Sequence, residues 1–230
     1  MSHYDYFAAA RRTYIGQWTA VGATAHFCRL VERSHPAAHD VLEIGPGKGW
    51  MAQRLLAQGR SYTCYEPNAE LAAGLGALGA VVKRQSVPPL DEPDACYDVF
   101  LASHVLEHMA TPDRAYLFVS EAYRVLRPGG VAGIVSPDYS HWGRDFFDCD
   151  YTHVYPVTAN RLRQLMSDAG FSIEGLYIRY GNFGWFPGAA LDAIVQVASG
   201  VRRYLPSDSY RLLKASLTFH ANVIALGRKP

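Results

Sequence analysis

The chain has 230 residues, 49% of them hydrophobic, which is enough to bury one sizeable core, and no stretch reads as a dividing linker, so a single domain is expected. Its formal net charge is +1, and its 22 basic residues are scattered apart from Arg11-Arg12 and Arg202-Arg203, which argues against a nucleic-acid phosphate track. Cys28, Cys64, Cys96 and Cys149 are far apart and form no C-x-x-C pair, so neither a disulfide framework nor a zinc ribbon is suggested.

Met1 to Asp5 lack a signal-peptide pattern, and no run approaches the roughly 20 apolar residues of a membrane span, so a reducing cytoplasm is the expected compartment. Residues 5–32 read as one or two helices, with Tyr14, Trp18, Val21, Ala25 and Cys28 at three- and four-residue spacing. Val41-Leu42-Glu43-Ile44-Gly45-Pro46-Gly47-Lys48-Gly49 follows, an apolar run with one carboxylate and then three alternate glycines. Such a pattern predicts a strand that turns hard into a helix, with the helix-opening amides pointing at whatever occupies the turn. Trp50, Met51, Leu55 and Leu56 supply the apolar face of that helix. The next apolar segment, Ser61 to Tyr65, ends at Glu66, an acid at a strand tip where a ribose diol would meet it.

Strand signals at 40–44, 61–65, 80–84, 97–102 and 131–136 alternate with helical patterns at 49–58, 68–78 and 112–126, the last with Ala115, Phe118, Ala122 and Val125 on one face. This alternation predicts a parallel sheet covered on both faces. A helix at 158–169 stops at Gly170 and leads into a sixth strand at 171–180, and a seventh closes the pattern at 219–226. Residues 182–217 are longer than a hairpin needs and carry Leu191, Ile194, Val195, Ala198, Val201 and Leu205 at helical spacing, an inserted helical element.

A dinucleotide fingerprint requires glycine where Trp50 stands, so a pyrophosphate fits this turn poorly. The E-x-G-x-G-x-G run, Glu66-Pro67-Asn68, the segment Tyr97 to His108 and Arg124-Val125-Leu126-Arg127-Pro128-Gly129-Gly130 resemble, in this order, the motifs of class I S-adenosylmethionine-dependent methyltransferases. The resemblance covers about residues 39–181 and the C-terminal strand, and is to the quinone-biosynthesis and small-molecule branch. It implies an α/β, Rossmann-like seven-stranded sheet of six parallel strands, with an antiparallel seventh between the fifth and sixth and helices on both faces. It also implies S-adenosylmethionine as cofactor and S-adenosylhomocysteine as product. The cofactor contacts would fall on Glu43, Gly45, Pro46, Gly47, Gly49, Glu66, Pro67, Asn68, Ser86, Val87, Ser103 and His104. Ser86 stands where the family usually carries an Asp that accepts the adenine amino group. Adenine is therefore expected to be read by the Ser86 hydroxyl or by backbone groups near Val87.

Methyl transfer from a sulfonium is an in-line displacement that needs donor and acceptor about 3 to 3.5 Å apart and water excluded. A base is required only when the acceptor arrives protonated, and histidine suits that role near neutral pH. Of nine histidines, His153 in Asp148-Cys149-Asp150-Tyr151-Thr152-His153, just past the fifth strand, is the leading candidate and His141 the second. The structural alternative for His153 is pairing with Asp150 to fix the loop. Tyr14, Asp150 and Trp185 are expected on the acceptor side, which the N-terminal aromatics and the insertion would close.

His104-Val105-Leu106-Glu107-His108 also spells H-x-x-E-H, a zinc-peptidase signature if helical. Because a strand runs close to it, the expectation is instead that Ser103 and His104 flank the cofactor and that Glu107 and His108 cap the next turn, with no resident metal. Asp145, Asp148 and Asp150 read as a solvated loop in preference to a Mg²⁺ site, and Tyr210-x-x-x-Lys214 as a chance spacing.

The expected function is methyl transfer to oxygen or nitrogen of a small-molecule or sugar-like acceptor, by a monomer or homodimer. No nucleic-acid partner or transmembrane segment is expected. The expected division is an N-terminal helical cap at 1–38, a cofactor-binding core at 39–181, the insertion at 182–217 and a last strand at 218–230. Alternatives are carbon methylation of quinone type, a cofactor-binding protein without turnover, membrane-surface contact through Arg202, Arg203 and the aromatics, and, remotely, a zinc hydrolase using His104, Glu107 and His108.

Overall fold

The computed structural model describes residues 14–180 and 220–230, together with isolated positions at 190, 193, 194 and 197. Trp185, the body of the 182–217 insertion and the Tyr210 to Lys214 stretch lie outside the described residues, as does the side chain of Tyr14.

In chain order the elements are α1 (Tyr14–Ser34), β1 (Asp40–Ile44), α2 (Trp50–Ala57), β2 (Ser61–Tyr65), α3 (Ala69–Ala77) and β3 (Val81–Lys83). Then come β4 (Tyr97–Ser103), a 3₁₀ turn (Leu106–His108), α4 (Pro112–Val125) and β5 (Leu126–Pro137). The short α5 (Tyr139–Trp142) and α6 (Asp145–Asp148), α7 (Ala159–Asp168), β6 (Ser172–Tyr180) and β7 (Ala221–Arg228) complete the series. The seven strands form one sheet in the order β3-β2-β1-β4-β5-β7-β6. β7 is antiparallel to both of its neighbours, β5 and β6, and the other described pairings are parallel. Among the described residues no helix is long and apolar enough to cross a membrane.

Alternation along the strands splits the interior in two, because successive side chains point to opposite faces. Leu42, Ile44, Phe100 and Ala102 meet Phe118 and Val119 of α4 and Leu162 and Met166 of α7. Val41, Val99 and Leu101 meet Phe27, Cys28 and Val31 of α1, Met51 and Leu55 of α2 and Leu75 of α3. α1 thus packs into the core. Gly133 of β5 admits it, since a Cβ there would meet the Phe27 ring at 2.8 Å. Arg228 ties the last strand to this helix and to the β5 entry, donating to Ser34 O (2.7 Å), to Gly129 O (2.6 Å) and to Glu174.

Boundaries follow local chemistry. Thr111 caps α4 by accepting from Arg114 N at 3.2 Å, with Pro112 in its first turn, and Thr158 caps α7 by accepting from Arg161 N at 3.2 Å. β5 starts at Leu126 and not at residue 131, as the glycine-rich Arg127 to Gly130 stretch is drawn into the sheet by Gly129 N bonding Lys229 O (2.7 Å) and Lys229 N bonding Gly130 O (2.9 Å). β7 correspondingly runs to Arg228, two residues past the expected end.

Candidate active site

β1 pairs with both β2 and β4, so the chain reverses its progress across the sheet at β1, and the crevice beyond the C-terminal strand ends opens there. The turn after β1 fills that crevice mouth. Gly45 N donates to Tyr65 O at 2.9 Å, which pins the turn to the tip of β2. Gly47 (φ +55°) has no atom within 4 Å of where a Cβ would stand, so the turn is open at this point. Gly49 (φ +72°) is the N-cap of α2 and packs so closely on Leu75 that a Cβ would come within 2.8 Å of it. Gly45, Pro46, Gly47 and Gly49 therefore lie together at the crossover.

Glu66 stands at the end of β2 and is only 6% exposed. Its carboxylate accepts from Asn68 N at 2.9 Å and from the Gly47 amide. Burial pushes its pKa up, and those two amides pull it partly back. The Asn68 side chain caps α3, accepting from Glu70 N and Leu71 N at 3.0 Å each, so the Glu66-Pro67-Asn68 segment is held from both sides. Glu43 lies lower, 1% exposed, its carboxylate accepting from the Tyr62 hydroxyl between β1 and β2. Burial pushes the Glu43 carboxyl up to about 8, against the pull of that hydroxyl. Glu43 is thus sealed into the floor beneath the turn. Ser86 is exposed and Val87 half-buried, just beyond β3.

On the other side of the crossover, Ser103 ends β4 and His104 follows with φ +59°, its amide bonded to Val135 O at 2.9 Å. Val105 lies against the glycine turn, its Cγ2 3.0 Å from the Cβ position of Gly45. The H-x-x-E-H stretch is a strand end and a 3₁₀ turn, so its two histidines do not share a helix face, and the helical zinc-peptidase arrangement is absent. The expectation that Glu107 and His108 cap the next turn is also corrected, since Thr111 is the cap. Glu107 is 0% exposed, accepts from Ser136 Oγ at 3.0 Å and has His104 Nδ1 3.2 Å from its other oxygen. Burial works to raise its pKa, but His104 and His108 outweigh it and leave the carboxyl below its ordinary value.

His153 is 9% exposed and sits against Glu107 and His108, with its ring centroid 4.8 Å from that of His108. Its Nδ1 bonds Phe146 O at 2.8 Å, while the Asp150 carboxylate accepts from Thr152 N and Thr152 Oγ1 at 2.9 and 2.6 Å. The expected His153–Asp150 side-chain pairing is therefore replaced by a ring-to-carbonyl bond that fixes the same loop. Burial lowers the pKa of His153 and leaves the ring neutral near pH 7. His141 is placed differently. Its Nδ1 is 2.9 Å from Asp138 Oδ2, Asp138 being 2% exposed at the tip of β5, and its Nε2 is 3.3 Å from the Tyr180 hydroxyl. The sequence reading missed Asp138, Ser136 and Thr152. Asp138 carried the signal already used for Glu66, an acid just past an apolar strand. Asp145 pairs with His220 at 3.4 Å, so the acids Asp145, Asp148 and Asp150 form no metal-sized group among the described residues.

The chain belongs to the methyltransferase domain family, whose pattern it matches over residues 7–176. A protein of Mycolicibacterium smegmatis named "Probable S-adenosylmethionine-dependent methyltransferase" is 33% identical over 167 residues, 71% of this chain and 60% of that protein. The fold is similar to that of a SAM dependent methyltransferase from Archaeoglobus fulgidus, with TM-score 0.65, 17% identity and coverage of 99% of this chain and 100% of that one. It is also similar to the N-methyltransferase NodS from Bradyrhizobium japonicum, solved in complex with S-adenosyl-L-homocysteine, with TM-score 0.62, 13% identity and coverage of 90% and 86%. The chain spans 60% of the length of the first of the curated relatives and 41% of the next ones. The architecture is that of a class I methyltransferase, with the seventh strand antiparallel between the fifth and sixth.

Proposed function

We propose that the chain binds S-adenosylmethionine across the Gly45–Gly49 turn and Glu66 and transfers its methyl group to a small-molecule acceptor lying over the tips of β4 and β5. The observation that carries this reading is the bond between the Glu66 carboxylate and the Gly47 amide, which joins a strand-tip acid to an open glycine turn at the crossover of the sheet. In this pose the ribose diol lies on Glu66, the amino-acid end faces the amides opening α2, and adenine extends toward Ser86 and Val87. The sulfonium then faces Ser103 and His104.

Bound S-adenosylmethionine would supply the methyl group, the acceptor lone pair displacing it from sulfur to leave S-adenosylhomocysteine. Neither partner needs covalent help from the protein, so its contribution is alignment and exclusion of water. For an acceptor hydroxyl or ammonium the proton goes to His141, whose Nδ1 is held by Asp138 and whose Nε2 must exchange its 3.3 Å contact with the Tyr180 hydroxyl for the acceptor. Oxygen or nitrogen methylation is the form of the reaction this dyad supports. Incubating the protein with S-adenosylmethionine and a panel of hydroxyl- and amine-bearing small molecules tests the reading, with acceptor-dependent S-adenosylhomocysteine release as the readout. A panel-wide absence of release together with tight cofactor binding would favour the cofactor-binding protein without turnover.

A further inference from the structure

Glu107, His108 and His153 each bring a ligand atom within 4.8 Å of the other two, a grouping to which methyl transfer from a sulfonium assigns no task. The sequence reading expected no metal because a strand runs close to the H-x-x-E-H stretch, and it did not bring His153 to that stretch. The tertiary fold does so by hanging the Thr152–Val154 loop on the 3₁₀ turn, Val154 N and Tyr155 N both donating to Glu107 O at 3.0 Å.

The partners of the two imidazoles decide their tautomers. Phe146 O can only accept, so the 2.8 Å contact makes Nδ1 of His153 the protonated nitrogen and puts the lone pair on Nε2. Thr152 Oγ1 donates to Asp150 Oδ1 at 2.6 Å and is left to accept from His108 Nδ1 at 2.8 Å, which puts the lone pair of that ring on Nε2 as well. Metal-binding histidines are oriented in this way, with the second ring nitrogen donating to a carbonyl or to a chain ending in a carboxylate. Glu107 adds a fully buried carboxylate whose oxygens are steered by Ser136 and His104.

We propose that Glu107, His108 and His153 form a binding site for a first-row divalent transition-metal cation of the Zn²⁺, Mn²⁺, Fe²⁺ or Co²⁺ type. Two imidazoles and one carboxylate suit such ions, whereas Mg²⁺ and Ca²⁺ take oxygen ligands. Metal bonds of about 2.0–2.2 Å set tetrahedral ligand atoms roughly 3.4 Å apart, and one ligand atom from each of the three residues lies within 4.8 Å of the others. Three protein ligands leave coordination positions open. Glu107 stands two residues after Val105, whose side chain lies against the Gly45 turn. Resting on the methyl-transfer reading, the open positions take an acceptor hydroxyl and lower its pKa, which selects oxygen acceptors.

The test is titration of chelator-stripped protein with Co²⁺ alone, followed by Zn²⁺ competition. The expected result is one equivalent of Co²⁺ with the visible bands of a four- or five-coordinate ion, displaced by Zn²⁺ and not by Mg²⁺. His153→Ala and Glu107→Gln should abolish this signal, and His39→Ala, at a distant exposed histidine, should leave it intact. Thr152→Val keeps all three ligands and should weaken binding roughly 10- to 100-fold through loss of the orienting bond, which serves where the buried variants fail to fold. Absence of stoichiometric Co²⁺ or Zn²⁺, or binding unchanged in folded His153→Ala or Thr152→Val protein, overturns the site. S-adenosylhomocysteine affinity measured on the same samples separates the two readings. Cofactor binding without metal removes only the cation site, and metal without cofactor binding removes only the methyl-transfer reading.

Discussion

The carboxylate of Glu66 accepts a hydrogen bond from the backbone amide of Gly47, so the acid at the tip of β2 and the turn after β1 are one mechanical unit. The same carboxylate holds Asn68 N at 2.9 Å, where α3 begins. Removing it leaves two amides without their acceptor, each worth about 1 kcal/mol or more. Glu66→Ala is therefore expected to speed hydrogen exchange at the Gly47 and Asn68 amides well beyond that of the β1 amides. Equal protection in mutant and wild type would mean that the turn is held by something else.

Gly47 and Gly59 make a matched pair for separating backbone strain from ligand contact. Both have positive φ, +55° and +74°, and neither has an atom within 4 Å of its Cβ position. Gly47→Ala and Gly59→Ala should each lower stability by about 1–2 kcal/mol, the left-handed penalty for a residue with a Cβ. Only Gly47→Ala should also weaken S-adenosylhomocysteine binding, by at least tenfold, because its methyl enters the open turn. Equal affinities for the two variants would place the ligand elsewhere.

His141 and Asp138 predict a loss confined to turnover. With an acceptor in hand, His141→Ala is expected to lower kcat by roughly 10²- to 10⁴-fold, as for a lost general base, with cofactor affinity near normal. Asp138→Asn should lower kcat as well, since it leaves the imidazole without its carboxylate. Normal turnover in both variants would limit the dyad to holding α5 in place.

Glu43 makes stability depend on pH in a stated direction. Its buried carboxyl titrates near 8 in the folded protein, against an ordinary value of 4.5. Between these values the folded state holds a proton that the unfolded chain has lost, so this group's contribution is full below about pH 4.5 and is lost as pH rises toward 8. Glu43→Gln should therefore gain melting temperature relative to wild type as pH rises from 5 to 8.5, at about 2–4 °C per kcal/mol for a chain of this size. A difference that stays constant across that range would contradict the burial of this acid.

Much of the fold was legible because its signals are local. The apolar runs at 40–44 and 97–102 each fall within a few residues and fold as β1 and β4. The errors arose where partners come from afar. Glu107 reads as a cap of the next turn until Ser136 of β5 is brought 3.0 Å from it, and the structural alternative for His153 pairs it with Asp150 until Phe146 O takes its Nδ1. β5 reads short because Pro128, Gly129 and Gly130 are poor strand formers, and only pairing with Lys229 recruits them. Asp138 fits the same strand-tip rule as Glu66, an acid just past an apolar strand.

Whether Glu66 and the Gly47 turn bind the S-adenosyl group is read by calorimetric titration of S-adenosylhomocysteine into wild-type and Glu66→Ala protein. One site per chain is expected in the wild type and an affinity lowered by tens- to a hundredfold in the mutant, the loss of a charged hydrogen-bonding group worth roughly 1.5 to 3 kcal/mol. No binding to the wild type, or equal affinity in a folded Glu66→Ala protein, would contradict it.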